Sequence, residues 1–236
     1  INNIKNIDIS MKNTYKSSSI LLMLLILGFS AQVVFVQAED APLKIAVTIL
    51  PQVEWLEEIG GDRIEILNLV PAGQSPHAYE PTTRELTFMA EADAWFQIGL
   101  IEFELANEDA LLDAVSSEIS VVNLSIGVDL LHIEEHSHEY ENHESEEEQN
   151  QEGAFDPHTW LSLNRTIQMI QTITSHLIDI DPDYEAIYTV NANNYIANLA
   201  SVDEKIIENM ANVSNKHMLI FHPSWGYFCD DYGLEM

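Results

Sequence analysis

Three histidines share one setting, a turn stiffened by a neighbouring proline. They are His77 in Pro76-His77-Ala78-Tyr79-Glu80-Pro81, His158 in Asp156-Pro157-His158-Thr159-Trp160-Leu161, and His222 in Phe221-His222-Pro223-Ser224-Trp225-Gly226. Neutral imidazole is the commonest metal ligand. Three such nitrogens suit zinc, with a carboxylate or water in the fourth position. Each rigid turn would preorganise its ligand. Taken singly, a loop histidine is more often a surface or hydrogen-bonded residue than a ligand, so it is the shared setting that points to a site. His176 and His217, inside a predicted helix and a predicted strand, are read as structural.

A second group of histidines has another character. Asp129 to Glu152 carries His132, His136, His138 and His143 among a run of glutamates, with too few apolar side chains to build a core. A solvated, mobile loop is expected there. A charged surface insertion is the plain reading. The four histidines favour weak, auxiliary metal collection instead, in a tract that empties into the rigid turn of His158.

The elements that must position these turns alternate. Leu43 to Leu50, a run rich in β-branched residues, and the short runs Ile64 to Val70, Ala94 to Ile98 and Ser120 to Leu124 are expected to be strands. Between them lie helical patterns: one opened by Pro51 and ended by Gly60-Gly61, one capped by Thr82 or Thr83, and one over Glu102 to Val115. Such alternation predicts an α/β fold with a parallel sheet wrapped by helices, whose ligands sit beyond the carboxyl ends of the strands. His77 lies on such a loop. A helix follows from Ser162, Asp181-Pro182 interrupts it, and Tyr184 to Met210 reads as one long helix of roughly 40 Å. That helix could act as a strut between two lobes or simply cover the sheet. Lys216 to Phe221 is expected to be a further strand, with His222 at its carboxyl end.

The 236 residues include 9 Lys+Arg and 39 Asp+Glu, a formal net charge of −30. That balance argues against nucleic-acid partners and favours cations. Cys229 is the only cysteine, which rules out an intramolecular disulfide or a multi-cysteine metal site. From Met11 the chain has the layout of an export signal: Lys12 and Lys16, an apolar stretch over Ile20 to Phe29, then Val36-Gln37-Ala38 with small residues suited to cleavage. Residues 1–38 are therefore read as upstream residues and a removable signal, with a retained membrane anchor as the alternative.

The three histidine motifs, in this order, resemble the substrate-binding proteins of zinc-uptake ABC transporters. That family of metal-binding receptors also includes manganese and adhesin-type proteins. An acidic, histidine-rich loop ahead of the second histidine is a mark of its zinc branch. The resemblance runs from Leu43 to Met236. It implies two α/β lobes with parallel sheets, joined by a long rigid helix, with metal in the cleft between them. The division would be a first lobe over 39–182 containing the acidic loop 129–152, a linker helix over 183–213, and at 214–236 the start of a second lobe that is truncated in this chain. His77 and His158 would come from the first lobe and His222 from the second. Manganese-preferring relatives tend to have glutamate at the third position, so His222 favours Zn²⁺, with Mn²⁺ as the alternative. The family's fourth ligand, where present, is usually a carboxylate further along the second lobe, past Met236, so no residue is named for it.

The resulting expectation is a monomeric, non-enzymatic receptor. It would be exported to the periplasm or the outer face of the cytoplasmic membrane, and it would deliver its metal to an ABC permease. Two other classes remain in view: a secreted zinc hydrolase and a metal-buffering or adhesion protein. Against the hydrolase, the sequence has no H-E-x-x-H helix and no G-x-S-x-G elbow. Glu80 is the one nearby carboxylate that could serve as a general base.

Overall fold

The structure, a computed structural model, describes residues 41–74, 79–114, 119–133 and 154–236. Residues 1–38, read from the sequence as upstream residues and an export signal, therefore lie outside the described residues. Four parallel strands form the sheet: β1 (Leu43–Val47), β2 (Ile64–Asn68), β3 (Ala94–Gln97) and β4 (Ser120–Asn123), in the order β2-β1-β3-β4. The registers run Leu43↔Ile64, Ile45↔Ala94 and Ala94↔Ser120. β1 and β3 are central. Ile45, Ala46, Val47, Ala94, Trp95 and Phe96 are fully buried. That is why these strands read as unbroken apolar runs: a parallel strand covered on both faces has no solvent side to alternate with.

The helices are α1 (Leu50–Gly60), α2 (Thr83–Met89), α3 (Glu102–Ala114), α4 (Leu163–Ile180), α5 (Glu185–Ala211) and α6 (Gly226–Tyr232). Thr82 caps α2 and Glu85 reaches back to the Thr82 N–H, so two N-terminal donors are satisfied reciprocally. Ser162 caps α4 by accepting from Arg165 N at 3.2 Å. One stripe of α4, Met169, Ile170, Ile173 and Leu177, is completely buried. Each such side chain contributes about 1.5–3 kcal/mol of burial.

Order reverses between β1 and β3, and the loops there are held by polar side chains. Gln52 Oε1 accepts from Thr48 N and Ile49 N, each at 3.0 Å, and its Nε2 donates to Phe96 O at 2.9 Å. Glu104, fully buried, accepts from Ile98 N at 2.8 Å, Gly99 N at 2.6 Å and Ile101 N at 3.4 Å. Burial pushes its carboxyl above the ordinary range, against the pull of Thr48 and of these donors. Gly99 has φ +85°, and a Cβ there would stand 2.1 Å from the Asn123 side chain, so glycine is required twice over.

α4 ends at Asp181-Pro182, where a turn over Pro182–Tyr184 leads into α5. Asp181 accepts from Arg63 Nε at 2.7 Å and from Tyr188 OH at 2.7 Å. α5 has 27 residues. It is fixed mainly through its first half, by buried Tyr188, Ala192 and Tyr195, by Asn191 Nδ2 donating to Ile59 O at 2.9 Å, and by Tyr195 OH donating to Glu54 at 2.9 Å.

One predicted element is absent. Residues 216–221 do not form a strand; their one ladder contact is a single parallel bridge, His217↔Glu235. Apolar, β-prone composition makes a strand only where a ladder partner exists. Leu219 and Phe221 are accordingly fully exposed. His217 Nδ1 pairs with Glu235 at 3.1 Å on the surface. No helix among the described residues is long and apolar enough to cross a membrane.

Candidate metal centre

Asp156 begins the turn that carries His158. Its Oδ1 accepts from His158 N at 2.9 Å, closing an Asx-type turn, and from His158 Nδ1–H at 2.6 Å. A carboxylate at Nδ1 holds the proton there and leaves the Nε2 lone pair free, the arrangement seen where histidine ligates metal. Asp156 is 7% exposed, so its charge is held in a setting that strengthens both bonds. His158 then caps a 3₁₀ turn over Thr159–Leu161, whose Thr159 is buried with Oγ1 3.7 Å from Met169 Sδ. The Trp160 ring lies 5.2 Å from the His158 ring.

His222 arrives from the far end of the chain. Its Nε2 stands 3.3 Å from His158 Nε2, with ring centroids 5.2 Å apart at 80°. Two imidazole nitrogens each about 2.05 Å from a tetrahedral zinc are about 3.35 Å apart. The observed spacing matches that expected of two ligands on one such ion. It also admits an N–H···N bond from His222 to His158 when no metal is held.

His77 lies outside the described residues, as do His136, His138 and His143. The chain leaving the His77 loop is fixed: Tyr79 OH donates to Glu85 at 2.7 Å, and burial, then this bond, pushes the Tyr79 phenol up to about 12. Glu80, the carboxylate considered as a general base, is exposed. His132 makes an antiparallel bridge with Phe155, their rings 4.5 Å apart, and Ile133 N donates to Ala154 O at 2.8 Å. These contacts pinch the two ends of the acidic tract together. Among the described residues no group of three or more His, Cys, Asp and Glu side chains is placed to hold a metal.

Reading the sequence for ligands missed the groups that hold them. Asp156 was legible in principle, because an Asp two residues before a turn histidine is an Asx-turn signal. Tyr227 OH donates to Asp156 O at 2.7 Å and accepts from Leu131 N at 3.2 Å, and only the fold brings those together.

The model of the family "Zinc-uptake complex component A periplasmic" (ZnuA) matches residues 45–236. The zinc-binding protein AdcA of Streptococcus pyogenes serotype M3 is 29% identical over 202 residues, covering 83% of this chain and 39% of that protein. The manganese-binding lipoprotein MntA of Halalkalibacterium halodurans is 27% identical over 230 residues, 95% of this chain and 70% of that one. Among solved structures, a crystal structure of ZnuA superposes with a TM-score of 0.70 at 30% identity, over 82% of this chain and 68% of that chain. The Zn(II)-bound ZnuA-like domain of Streptococcus pneumoniae AdcA gives 0.66 at 26%, over 83% and 66%. The chain thus spans about two fifths of the streptococcal zinc protein's length. With a parallel α/β sheet, two of its turn histidines converged and a family match across almost all described residues, this chain belongs to the ZnuA family of zinc-uptake components.

Proposed function

We propose that this chain is the metal-capturing part of an extracytoplasmic receptor that binds Zn²⁺ and hands it to an ABC-type permease. The single observation that carries this reading is the 3.3 Å separation of His158 Nε2 and His222 Nε2, a tetrahedral-zinc spacing. His77 is the third ligand, supplied by the loop that follows β2. Asp156 orients His158, and the imidazoles replace the ion's water. The loop histidines His132, His136, His138 and His143 gather metal weakly. The chain acts as a monomer outside the cytoplasm, after export directed by residues 1–38, and catalyses no reaction. Residues 39–182 form the first lobe, 183–213 the connecting helix and 214–236 the beginning of the second.

Three imidazole nitrogens favour Zn²⁺ over the harder Mn²⁺, which prefers oxygen. Similarity to a manganese-binding lipoprotein over 95% of the chain supports the second reading, a manganese receptor. Isothermal titration with each metal and competition between them decides the question. Saturable, one-to-one zinc binding that manganese displaces poorly is expected. Tighter manganese binding would replace the zinc reading, and absence of either would end both. A zinc hydrolase fits less well: Asp156 is committed to His158, and Glu80 is exposed on its loop.

A further inference from the structure

Arg165 is 5% exposed and lies in the first turn of α4. Its guanidinium meets two parts of the chain that are distant in sequence. Nε donates to Asp129 O at 2.8 Å; Nη1 donates to Asp231 Oδ1 at 2.7 Å and to Ser162 Oγ at 3.4 Å; Nη2 donates to Asp230 Oδ2 at 3.0 Å. Its flat face covers the Tyr227 ring at 4.6 Å. Tyr227 is fully buried and bonds to Asp156 O and Leu131 N. Beside it, Gly226 lies so close that a Cβ would stand 2.8 Å from Asp156 Oδ2. Tyr227, Asp230 and Asp231 all belong to α6, four residues after His222.

We infer that Arg165 is a positioning residue for the metal site. It latches α6 onto Asp129 and the start of α4, beside the Tyr227 ties to Leu131 and Asp156, and thereby sets the spacing between His222 and His158. The inference rests on the reading of these two histidines as ligands. The latch is arginine-specific. A planar fork can serve two carboxylates and a carbonyl while stacking on an aromatic ring; an ammonium has the charge without the plane. Asp231 strengthens the case. Its Oδ2 is buried with no hydrogen-bond partner among the described residues, so Arg165 supplies its neutralisation. The second attachment, Tyr227 to Asp156, acts on the residue that orients His158. One assembly therefore holds both ligands.

The test compares Arg165→Met, Arg165→Lys and Tyr227→Phe with the unaltered chain. It uses zinc competition titrations, visible spectra of the Co²⁺-loaded protein, and ¹⁵N imidazole spectra of the metal-free protein. Arg165→Met is expected to weaken zinc binding about 10–100-fold, as loss of an outer support does, and to reduce the tetrahedral Co²⁺ absorption. Arg165→Lys should recover only part of this. Tyr227→Phe, a smaller change that keeps the ring, should weaken binding about tenfold. In metal-free protein, the His158–His222 ring proximity signal should be present in the unaltered chain and lost in Arg165→Met. Unchanged affinity, Co²⁺ spectrum and proximity in folded variants would overturn the latch. If Arg165→Met does not fold, Tyr227→Phe decides by the same readouts. If the unaltered chain binds no zinc, the receptor reading fails, while the metal-free proximity signal still tests the latch.

Discussion

His158 and His222, 64 residues apart in sequence, present their Nε2 atoms to each other at 3.3 Å. Removing either should therefore be equally damaging. His158→Ala and His222→Ala are each expected to lower zinc affinity by orders of magnitude, read by competition titration. An unchanged isotherm in either variant removes that residue from the site. His222→Glu should shift preference toward manganese, because a carboxylate is the harder ligand.

Asp156 tests whether orientation matters apart from ligation. Asp156→Asn keeps the shape of the side chain, but it removes the charge that holds a proton on His158 Nδ1 at 2.6 Å. About 10–100-fold weaker metal binding is expected with melting temperature nearly unchanged. Equal affinity in the variant would leave Asp156 a turn residue only.

Deleting residues 134–153 and joining the ends with a short linker should leave the tight site intact and abolish only weak metal binding. The stem that remains, Ile133 N to Ala154 O at 2.8 Å with the His132–Phe155 bridge, already brings the ends together. Loss of the tight site with the tract would show that its histidines are primary ligands.

The Arg63–Asp181 pair makes stability depend on acid. Burial alone would raise the Asp181 carboxyl, but the hydrogen bonds from Arg63 and Tyr188 outweigh it and hold the group below its ordinary 3.8. A carboxyl depressed in the folded state contributes stability above its unfolded value, and that contribution is lost as pH falls through the folded one. Asp181→Asn should lower stability at pH 7 by about 1–2 kcal/mol, removing the charge that Arg63 Nε and Tyr188 OH donate to, and should flatten the acid limb below pH 3.8. Urea unfolding at neutral and acid pH measures both; a parallel pair of acid limbs would show that Asp181 is not the group responsible.

His176 should act in a milder range. Burial holds its imidazole below 6.5, partly offset by Asp179, and its Nε2 is buried without a partner among the described residues. The neutral ring favours the folded state, so its contribution is complete above 6.5 and declines as pH falls below that value. His176→Gln should make stability flatter across that interval in denaturant melts. An unaltered slope would place the titration elsewhere.

Much of this architecture was legible because buried parallel strands and proline-marked turns leave strong local signals. All four strands of the sheet fall within the predicted runs, each ending one to three residues early where the backbone leaves the ladder. Lys216 to Phe221 shows the limit. Its side chains favour a strand, yet pairing is a property of two segments, and only Glu235 bridges to it. The site divides in the same way. His158 and His222 stand out through their own neighbours. Arg165 does not, since a basic residue in the first turn of a helix reads as a surface group until Asp230 and Asp231 arrive 65 and 66 residues later.

The anchoring of α5 sets an angular tolerance. With 27 residues the helix is about 40 Å long; it is tied in its second half through Asp203, which accepts from Tyr232 OH of α6 at 2.6 Å, and at its start through Tyr188, Asn191 and Tyr195. A tilt of only about 5° about that end would carry the other end roughly 3.5 Å, as far as the whole gap between the two imidazoles. Tyr232 of α6 holds that outer half at Asp203, so small repacking beneath the start of the helix would pull on α6 against the Arg165 latch.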